Sequence, residues 1–276
     1  MNSVSTERRI RILHLLARGS SIRAAEEVTK THRDTISRLL VEAGEACQGF
    51  LDATLRNLRA EHWQIDESWT FCRKKERHLT PEERDTGVLG DQYLFLALGT
   101  KSKLVPSFLV GRRDEANARL FMRDLAGRLS FTGKRHRLST DGWYAYPFAV
   151  DQAFGDKVDH GVIVKEHPTS TTVRIARRNV SGHGDDSRIC TSHVERRNLT
   201  IRTFMERYTR KSLAFSKKFE NLQAAVAVHM AYYNFCWKPK TIKMTPAMAA
   251  NIVSEAWTFQ QLLVRVGVVA PPRIWS

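Results

Sequence analysis

Three acidic residues lie in settings where a carboxylate could do chemistry. Asp66 interrupts the apolar and aromatic segment HWQIDESWTFC, where a buried carboxylate is costly unless it is paired, hydrogen-bonded or bound to a metal ion. Asp141 ends RLSTD, a segment typical of a strand, and Glu195 lies in HVERRN at the start of a helical pattern. If the strands of Asp66 and Asp141 are neighbours and the helix packs over them, the carboxylates form an all-oxygen site suited to Mg²⁺ or Mn²⁺.

Such a site would support phosphodiester chemistry. Two divalent ions a few ångströms apart activate a water molecule or a 3′-hydroxyl and stabilise the leaving oxygen. Glu195, Asn198 and Arg202 follow one another at i, i+3 and i+7, which places them on one face of a helix. That face would present an acid to the metal ions and a cation to a DNA backbone.

Each acid also has an ordinary structural alternative. Asp66 could be a partly exposed strand residue, since Glu67 beside it is also acidic and would take the opposite face. Asp141 could be a turn residue, and Glu195 could close a Ser-x-x-Glu capping box that begins at Ser192. All three alternatives would have to hold together in a strongly basic chain, so we favour the metal site.

The charge balance indicates a polyanionic partner. The 276 residues include 44 Lys and Arg against 29 Asp and Glu, a net charge of +15 that is spread along the whole chain. This excess favours nucleic acid, bound through its phosphates, over a membrane surface, because the sequence has no basic amphipathic anchor.

Short apolar runs and a polar N-terminus predict a cytoplasmic protein, nucleoid-associated when bound to DNA. The cysteines form no C-x-x-C pair, so neither zinc nor a disulfide framework is expected: Cys47, Cys72, Cys190 and Cys236.

Residues 1–45 are predicted to form an all-α helix-turn-helix domain. Helical patterns cover Thr6–Ala17, Ile22–Val28 and Arg33–Glu42, with tight connections between them. The outer face of the third helix offers two cations and two hydroxyls to DNA, and the alternative is a three-helix cap with no ligand. The predicted DNA-contacting residues here are Arg33, Thr35, Ser37 and Arg38.

The elements that must position the acids lie in residues 62–236, which form the predicted catalytic domain. A helical linker over 46–61 precedes them, and its apolar stripe could be core or a dimer contact. We predict an α/β fold with a mixed five-stranded sheet and helices on both faces, in the order βββαβαβ, and Pro106 places the third strand at an edge. The predicted strands are His62–Cys72, Gln92–Gly99, Leu104–Gly111, Arg135–Thr140 and Lys157–Lys165, and the helix Glu115–Leu129 lies between the third and the fourth.

A basic segment separates the last strand from the helices that follow. Residues 166–191 are polar and rich in Gly, Ser and Thr, which predicts a flexible loop. Its arginines are candidates for phosphate contact, against the alternative of a simply solvated loop. Helices are predicted over Ser192–Arg210 and Phe219–Phe235, and residues 237–276 form a helical C-terminal tail. The candidate phosphate contacts are Arg174, Arg177 and Arg178.

The ordered set of motifs resembles the DDE transposases of bacterial insertion sequences and is most similar to the insertion-sequence-one family. The resemblance is carried by Asp66 on a first strand, STDG (139–142) after a fourth and HVERRN (193–198) opening a helix. YYNF (232–235), MTPAMA (244–249) and the predicted helix-turn-helix extend it, so scattered motifs span most of the chain. The cysteine zinc module with which such proteins often begin has no counterpart in this sequence.

The resemblance implies an RNase H-like catalytic fold that cleaves the ends of an element and joins them to target DNA. By position, Asp66, Asp141 and Glu195 would bind Mg²⁺ or Mn²⁺ as two ions, Asn198 follows in the same motif, and Arg202 would position double-stranded DNA. We therefore predict a transposase that binds terminal inverted repeats and acts as a homodimer or higher oligomer, because two ends must be joined. The alternatives are a non-cleaving DNA-binding regulator derived from a transposase and a stand-alone RNase H-like nuclease, which the helix-turn-helix disfavours.

Overall fold

A computed structural model of the chain describes residues 4–59, 61–166, 174–209 and 213–271, and these fall into two compact units. The helical unit comprises Met1–Thr54, Thr70–Gly90 and Ile201–Ser276, and the sheet unit comprises Leu55–Trp69 and Asp91–Thr200. No helix in these described ranges is both long and apolar enough to cross a membrane. The helices are α1 (Thr6–Ala17), α2 (Ile22–Thr29), α3 (Arg33–Thr54), α4 (Pro81–Asp85), α5 (Glu115–Arg128), α6 (Ala145–Phe154), α7 (Ser192–Phe204), α8 (Phe219–Phe235), α9 (Pro246–Ala249) and α10 (Phe259–Arg265). The strands are β1 (His62–Cys72), β2 (Gly90–Gly99), β3 (Phe108–Gly111), β4 (His136–Asp141), β5 (Val158–Glu166) and β6 (Arg174–Ser181).

The first three helices of the helical unit begin where the sequence predicts, but the third is longer. The sequence predicts that it ends near Glu42 and that a separate helical linker follows, whereas α3 runs unbroken to Thr54. The residues AGEACQGF (43–50) contain no proline, and a glycine inside a helix costs only about 1 kcal/mol relative to alanine. The three helices share one apolar cluster, built from Ile12, Ala25, Ile36 and Leu39.

Helices α3 and α8 pack closely against each other within the helical unit. A Cβ atom at Gly44 would lie 2.4 Å from the Cα of Ala224, so the two backbones can approach here only because the residue is glycine. Cys47 is buried, and the ring of Phe50 lies 5.2 Å from the ring of Phe235. Cys47 and Phe50 belong to the apolar stripe of the predicted linker, and at these two residues the stripe is part of the hydrophobic core.

The sheet is mixed, as predicted, and has the strand order β3-β2-β1-β4-β5-β6. β4 runs parallel to both β1 and β5, whereas β3 pairs antiparallel with β2 and β6 antiparallel with β5. β3 lies at an edge, as Pro106 indicates, although the strand itself begins only at Phe108. The predicted inward face of α5 is buried: Ala118, Phe121, Met122 and Leu125.

The prediction of five strands is wrong, because a sixth lies inside the segment predicted to be a flexible loop. β6 pairs antiparallel with β5 through backbone hydrogen bonds, and residues 167–173 of that segment lie outside the described residues. As an edge strand, β6 leaves most of its side chains exposed. A strand with no buried face carries no apolar alternation, so the sequence pattern does not reveal it.

The order of β1 and β4 brings two of the predicted acids level with each other. The strands are parallel neighbours, with Gln64 opposite Ser139. Two residues further along this register, Asp66 is level with Asp141, and both point to the face that carries Gln64 because side chains alternate along a strand. The condition on which the predicted metal site depends, that the first and fourth strands are neighbours, is therefore met.

Candidate active site

Three carboxylates meet where β4 ends, and we call Asp66, Glu67 and Asp141 the acid cluster. One carboxylate oxygen from each residue lies within 4.8 Å of the other two. The structure thus brings Asp66 and Asp141 together, as predicted, and adds Glu67. Three carboxylates at this spacing repel one another unless protons or cations neutralise them, so the group is a candidate cation site.

Glu67 is the site residue that the sequence reasoning missed. It was expected on the face opposite Asp66, where Tyr146 of α6 donates a hydrogen bond to its Oε1. Its carboxylate nevertheless reaches the acid cluster, and its side chain is only 5% exposed. Continued along the register, Glu67 is level with Gly142, which follows the end of β4. The signal that could have identified it is the second acid of the dipeptide Asp66-Glu67 inside an otherwise apolar strand.

Asp141 combines the two roles that the sequence left open. Its Oδ1 accepts a hydrogen bond from the backbone N–H of Trp143 at 3.0 Å, which is the bond of a turn residue. Its Oδ2 lies 3.4 Å from Nη2 of Arg113 and belongs to the charged site. One oxygen stabilises the turn, and the other remains available for a cation.

Arg113 brings a positive charge to the site, and no pattern in the sequence marks it for that role. It lies between β3 and α5, with Nε 3.4 Å from Glu67 Oε2 and Nη2 3.4 Å from Asp141 Oδ2. Its guanidinium carbon lies 4.4 Å from the centre of the Trp143 ring, within the range of a cation–π contact. Arg113 therefore joins two members of the acid cluster while its side chain stays 33% exposed.

The start of α7 is fixed to the face of β1 that carries Asp66. The backbone N–H groups of His193 and Val194 donate to Gln64 Oε1 at 2.8 and 3.1 Å, which satisfies two amides that have no partner inside the helix. One turn later, Asn198 Nδ2 donates to Asp66 Oδ2 at 2.8 Å. Because α7 covers this face and α6 reaches Glu67 from the other, helices cover both faces of the sheet, as predicted.

Glu195 lies between these contacts on α7 and is exposed. Thr191 Oγ1 donates to its Oε1 at 3.0 Å, and its charge contributes to raising the pKa of Asp66. The helix already begins at Ser192, so Ser192 is not its cap and the proposed capping box is not formed. Glu195 does not belong to the acid cluster as defined here, and its assignment as a metal ligand stays a prediction.

Burial makes two acids of the cluster hold their protons more tightly than usual. The pKa of Asp66 is raised to about 6, first by burial and then by the charges of Asp141 and Glu195, while the hydrogen bond from Asn198 lowers it. The pKa of Glu67 is raised to about 8 by burial and by Asp141, and Arg113 opposes this rise. Carboxylates in such an environment gain stability when a cation neutralises them.

The donor atoms of the site fit a hard divalent cation. All the charged ligands are carboxylate oxygens, the type that Mg²⁺ and Mn²⁺ prefer. Asn198 is 2% exposed, and its Oδ1 has no hydrogen-bond partner among the described residues, as is also true of the Oγ of Ser68 on β1. A metal-bound water would supply a donor to such an acceptor. Asp66, Asp141 and Glu67 could hold the ion, with Glu195 within electrostatic reach.

The predicted DNA-contacting residues occupy several elements. In α3, Arg33 and Arg38 are exposed, and Thr35 and Ser37 are half-buried. Arg202 is half-buried on α7, and Asn198 is occupied by Asp66. The remaining three, Arg174, Arg177 and Arg178, are exposed on β6, where Arg177 Nε also donates to the carbonyl of Ile189 at 2.9 Å. No bound DNA tests these contacts, so they stay predictions.

Comparison with known proteins finds one family model that matches part of the chain. The family model of the IS1 transposase matches residues 169–235, a segment that contains Glu195, Asn198 and Arg202. No curated protein matches the chain. Among solved structures, a cryo-EM structure of a piggyBac transposase synaptic complex with hairpin DNA aligns over 96% of this chain and 72% of that chain, with 9% sequence identity and a TM-score of 0.45. A similarity at that level does not establish a common fold.

Proposed function

We propose that this chain is a DDE transposase that binds the terminal inverted repeats of an insertion sequence, cleaves the DNA ends and joins them to target DNA. The observation that carries this proposal is the convergence of the acids. Asp66 and Asp141 lie level on neighbouring parallel strands, and the charge of Glu195 on α7 acts on Asp66. The match of the IS1 transposase family to residues 169–235, which include Glu195, supports the same assignment.

The proposed mechanism assigns each side chain a task. The catalytic domain would have an RNase H-like fold. In it, the metal ligands for two Mg²⁺ or Mn²⁺ ions would be Asp66, Asp141 and Glu195. When bound, such ions activate the attacking water or 3′-hydroxyl and stabilise the leaving oxygen of the phosphodiester. Asn198 orients the Asp66 carboxylate through its 2.8 Å hydrogen bond, and Thr191 holds Glu195.

DNA binding would use the excess of positive charge. Arg33 and Arg38 are exposed on α3, which suits the recognition helix of a helix-turn-helix. The arginines of β6 and Arg202 would contact phosphates, each neutralising backbone charge with release of counterions. Two element ends must be joined, so the active form would be a homodimer or a larger assembly on DNA.

A non-cleaving regulator derived from a transposase is the second candidate, and Arg113 is the observation that favours it. Its guanidinium already neutralises Glu67 and Asp141, at 3.4 Å from each. A site that its own arginine satisfies permanently would bind DNA without cutting it. The two candidates therefore differ in one measurable property, metal-dependent cleavage.

The test uses a labelled duplex that carries the short inverted repeat flanking the gene, incubated with Mg²⁺, Mn²⁺ or a chelator. Asp141→Asn removes a ligand charge but keeps the oxygen that accepts from Trp143. Asp151→Asn, at an exposed position on α6, is the matched control. Metal-dependent nicking at the repeat boundary, lost only in Asp141→Asn while binding persists, supports the transposase.

Other outcomes separate the alternatives. Specific binding of repeat DNA without cleavage under any metal supports the regulator. Preferred cleavage of an RNA–DNA hybrid or a four-way junction, offered in competition with the repeat duplex, supports a stand-alone nuclease. Binding that shows no preference for the repeat contradicts both DNA-specific candidates.

A further inference from the structure

Arg113 places a positive charge on the same oxygens that a metal ion would need. Its two nitrogens lie 3.4 Å from Glu67 Oε2 and from Asp141 Oδ2. Oxygen ligands lie about 2.0–2.6 Å from Mg²⁺ or Ca²⁺, so they face the ion directly. Since each carboxylate charge can be neutralised by either partner, the guanidinium and a divalent ion are rivals for these oxygens.

We propose that Arg113 is an internal counter-cation that competes with divalent metal ions for the acid cluster and so sets the metal affinity of the site. This inference rests on the proposed function, because it concerns the same metal site. It gives Arg113, which is not among the predicted site residues, a role in tuning metal binding.

The backbone on both sides of Arg113 is held by contacts of its neighbours in β3 and at the start of α5. Gly111 pairs with Tyr93 at the end of β3. Asp114 caps α5 by accepting a hydrogen bond from Asn117 N at 2.8 Å. The competing group is thus a long side chain on a fixed base, which can withdraw without rearranging the fold.

Trp143 offers the guanidinium a second contact. The 4.4 Å distance to the ring allows cation–π attraction, and the side chain of Arg113 is 33% exposed. Withdrawal from Glu67 and Asp141 would therefore leave the cation near the ring and the solvent. An arginine there is well suited to pair with a phosphate, since its planar fork matches two phosphate oxygens.

The test is a titration of the purified full-length protein with Mn²⁺, in which free Mn²⁺ is followed by electron paramagnetic resonance. The proteins are the wild type, Arg113→Gln, Arg113→Lys and Arg119→Gln. The last is the matched control, because Arg119 forms a 3.4 Å ion pair with Glu115 on α5. Asp141→Asn reports whether the measured binding belongs to the acid cluster.

We expect Arg113→Gln to bind Mn²⁺ about tenfold more tightly than the wild type, equivalent to about 1.4 kcal/mol. Arg113→Lys, which keeps the charge without the fork, should lie between them, and Arg119→Gln should match the wild type. Equal or weaker binding by Arg113→Gln and Arg113→Lys, in proteins that melt like the wild type, would overturn the inference. If the variants give that result but the wild type still binds Mn²⁺ and cleaves the repeat duplex, the proposed function stands. If the wild type neither binds Mn²⁺ nor cleaves, both this inference and the proposed function are refuted.

Discussion

Loss of the hydrogen bond from Asn198 to Asp66 should weaken metal binding and cleavage together. Asn198→Ala removes the Nδ2 donor that lies 2.8 Å from Asp66 Oδ2, inside a helix where alanine is well tolerated. A hydrogen bond to a charged group contributes about 1.5–3 kcal/mol, or about 10- to 100-fold in an equilibrium constant. Orienting partners of metal ligands have effects of the same size.

The direction of the pH dependence follows from the same bond. Burial raises the pKa of Asp66 to about 6, and the bond from Asn198 lowers it. Its loss therefore raises the pKa further and leaves less of the ionised form that binds a metal ion. The deficit of Asn198→Ala relative to the wild type should be larger at about pH 6 than at about pH 8.

The assay pairs Mn²⁺ titration with cleavage of the repeat duplex across this pH range. Thr200→Ala is the control on the same helix, because Thr200 Oγ1 donates only to the carbonyl of Arg196 among the described contacts. Asn198→Asp keeps the shape but replaces the donor with another acid, and should be more damaging than alanine. Affinity and cleavage within about threefold of the wild type at every pH, in a variant that melts normally, would refute the orienting role.

Two further predictions concern stability. His160 is buried and its pKa is lowered to about 4 by burial, against 6.5 when unfolded, so the unfolded chain binds the extra proton. His160 alone should contribute a fall of about 3 kcal/mol in the free energy of unfolding as pH drops from about 6.5 to about 4, and urea denaturation of His160→Gln should lack this contribution relative to the wild type. Gly44→Ala should destabilise the protein by about 1–3 kcal/mol because its Cβ would meet the backbone of α8, whereas Gly49→Ala, with nothing within 4 Å, should stabilise it by about 0.5–1 kcal/mol. Equal melting shifts for the two glycine variants would contradict the packing argument.

The sequence by itself determined the elements whose patterns are local and strong. The inward face of α5 follows from apolar residues at helical spacing, and the bounds of α8 were predicted as observed, Phe219–Phe235. The acidic interruption of an apolar strand marked Asp66, because a charge at such a position needs a partner wherever it folds. The adjacency of β1 and β4 was the condition on which the predicted metal site depended, and the structure meets it.

Only the tertiary structure decided which other groups meet these acids. Glu67 joins the acid cluster although alternation along the strand assigns it to the opposite face, and Arg113 arrives from a connection that is remote along the chain. β6 is held to β5 by backbone hydrogen bonds at an edge, where exposed side chains need no apolar pattern. Local propensity acts over a few residues, whereas strand register and charge pairing depend on distances in space, which the order of residues does not encode directly.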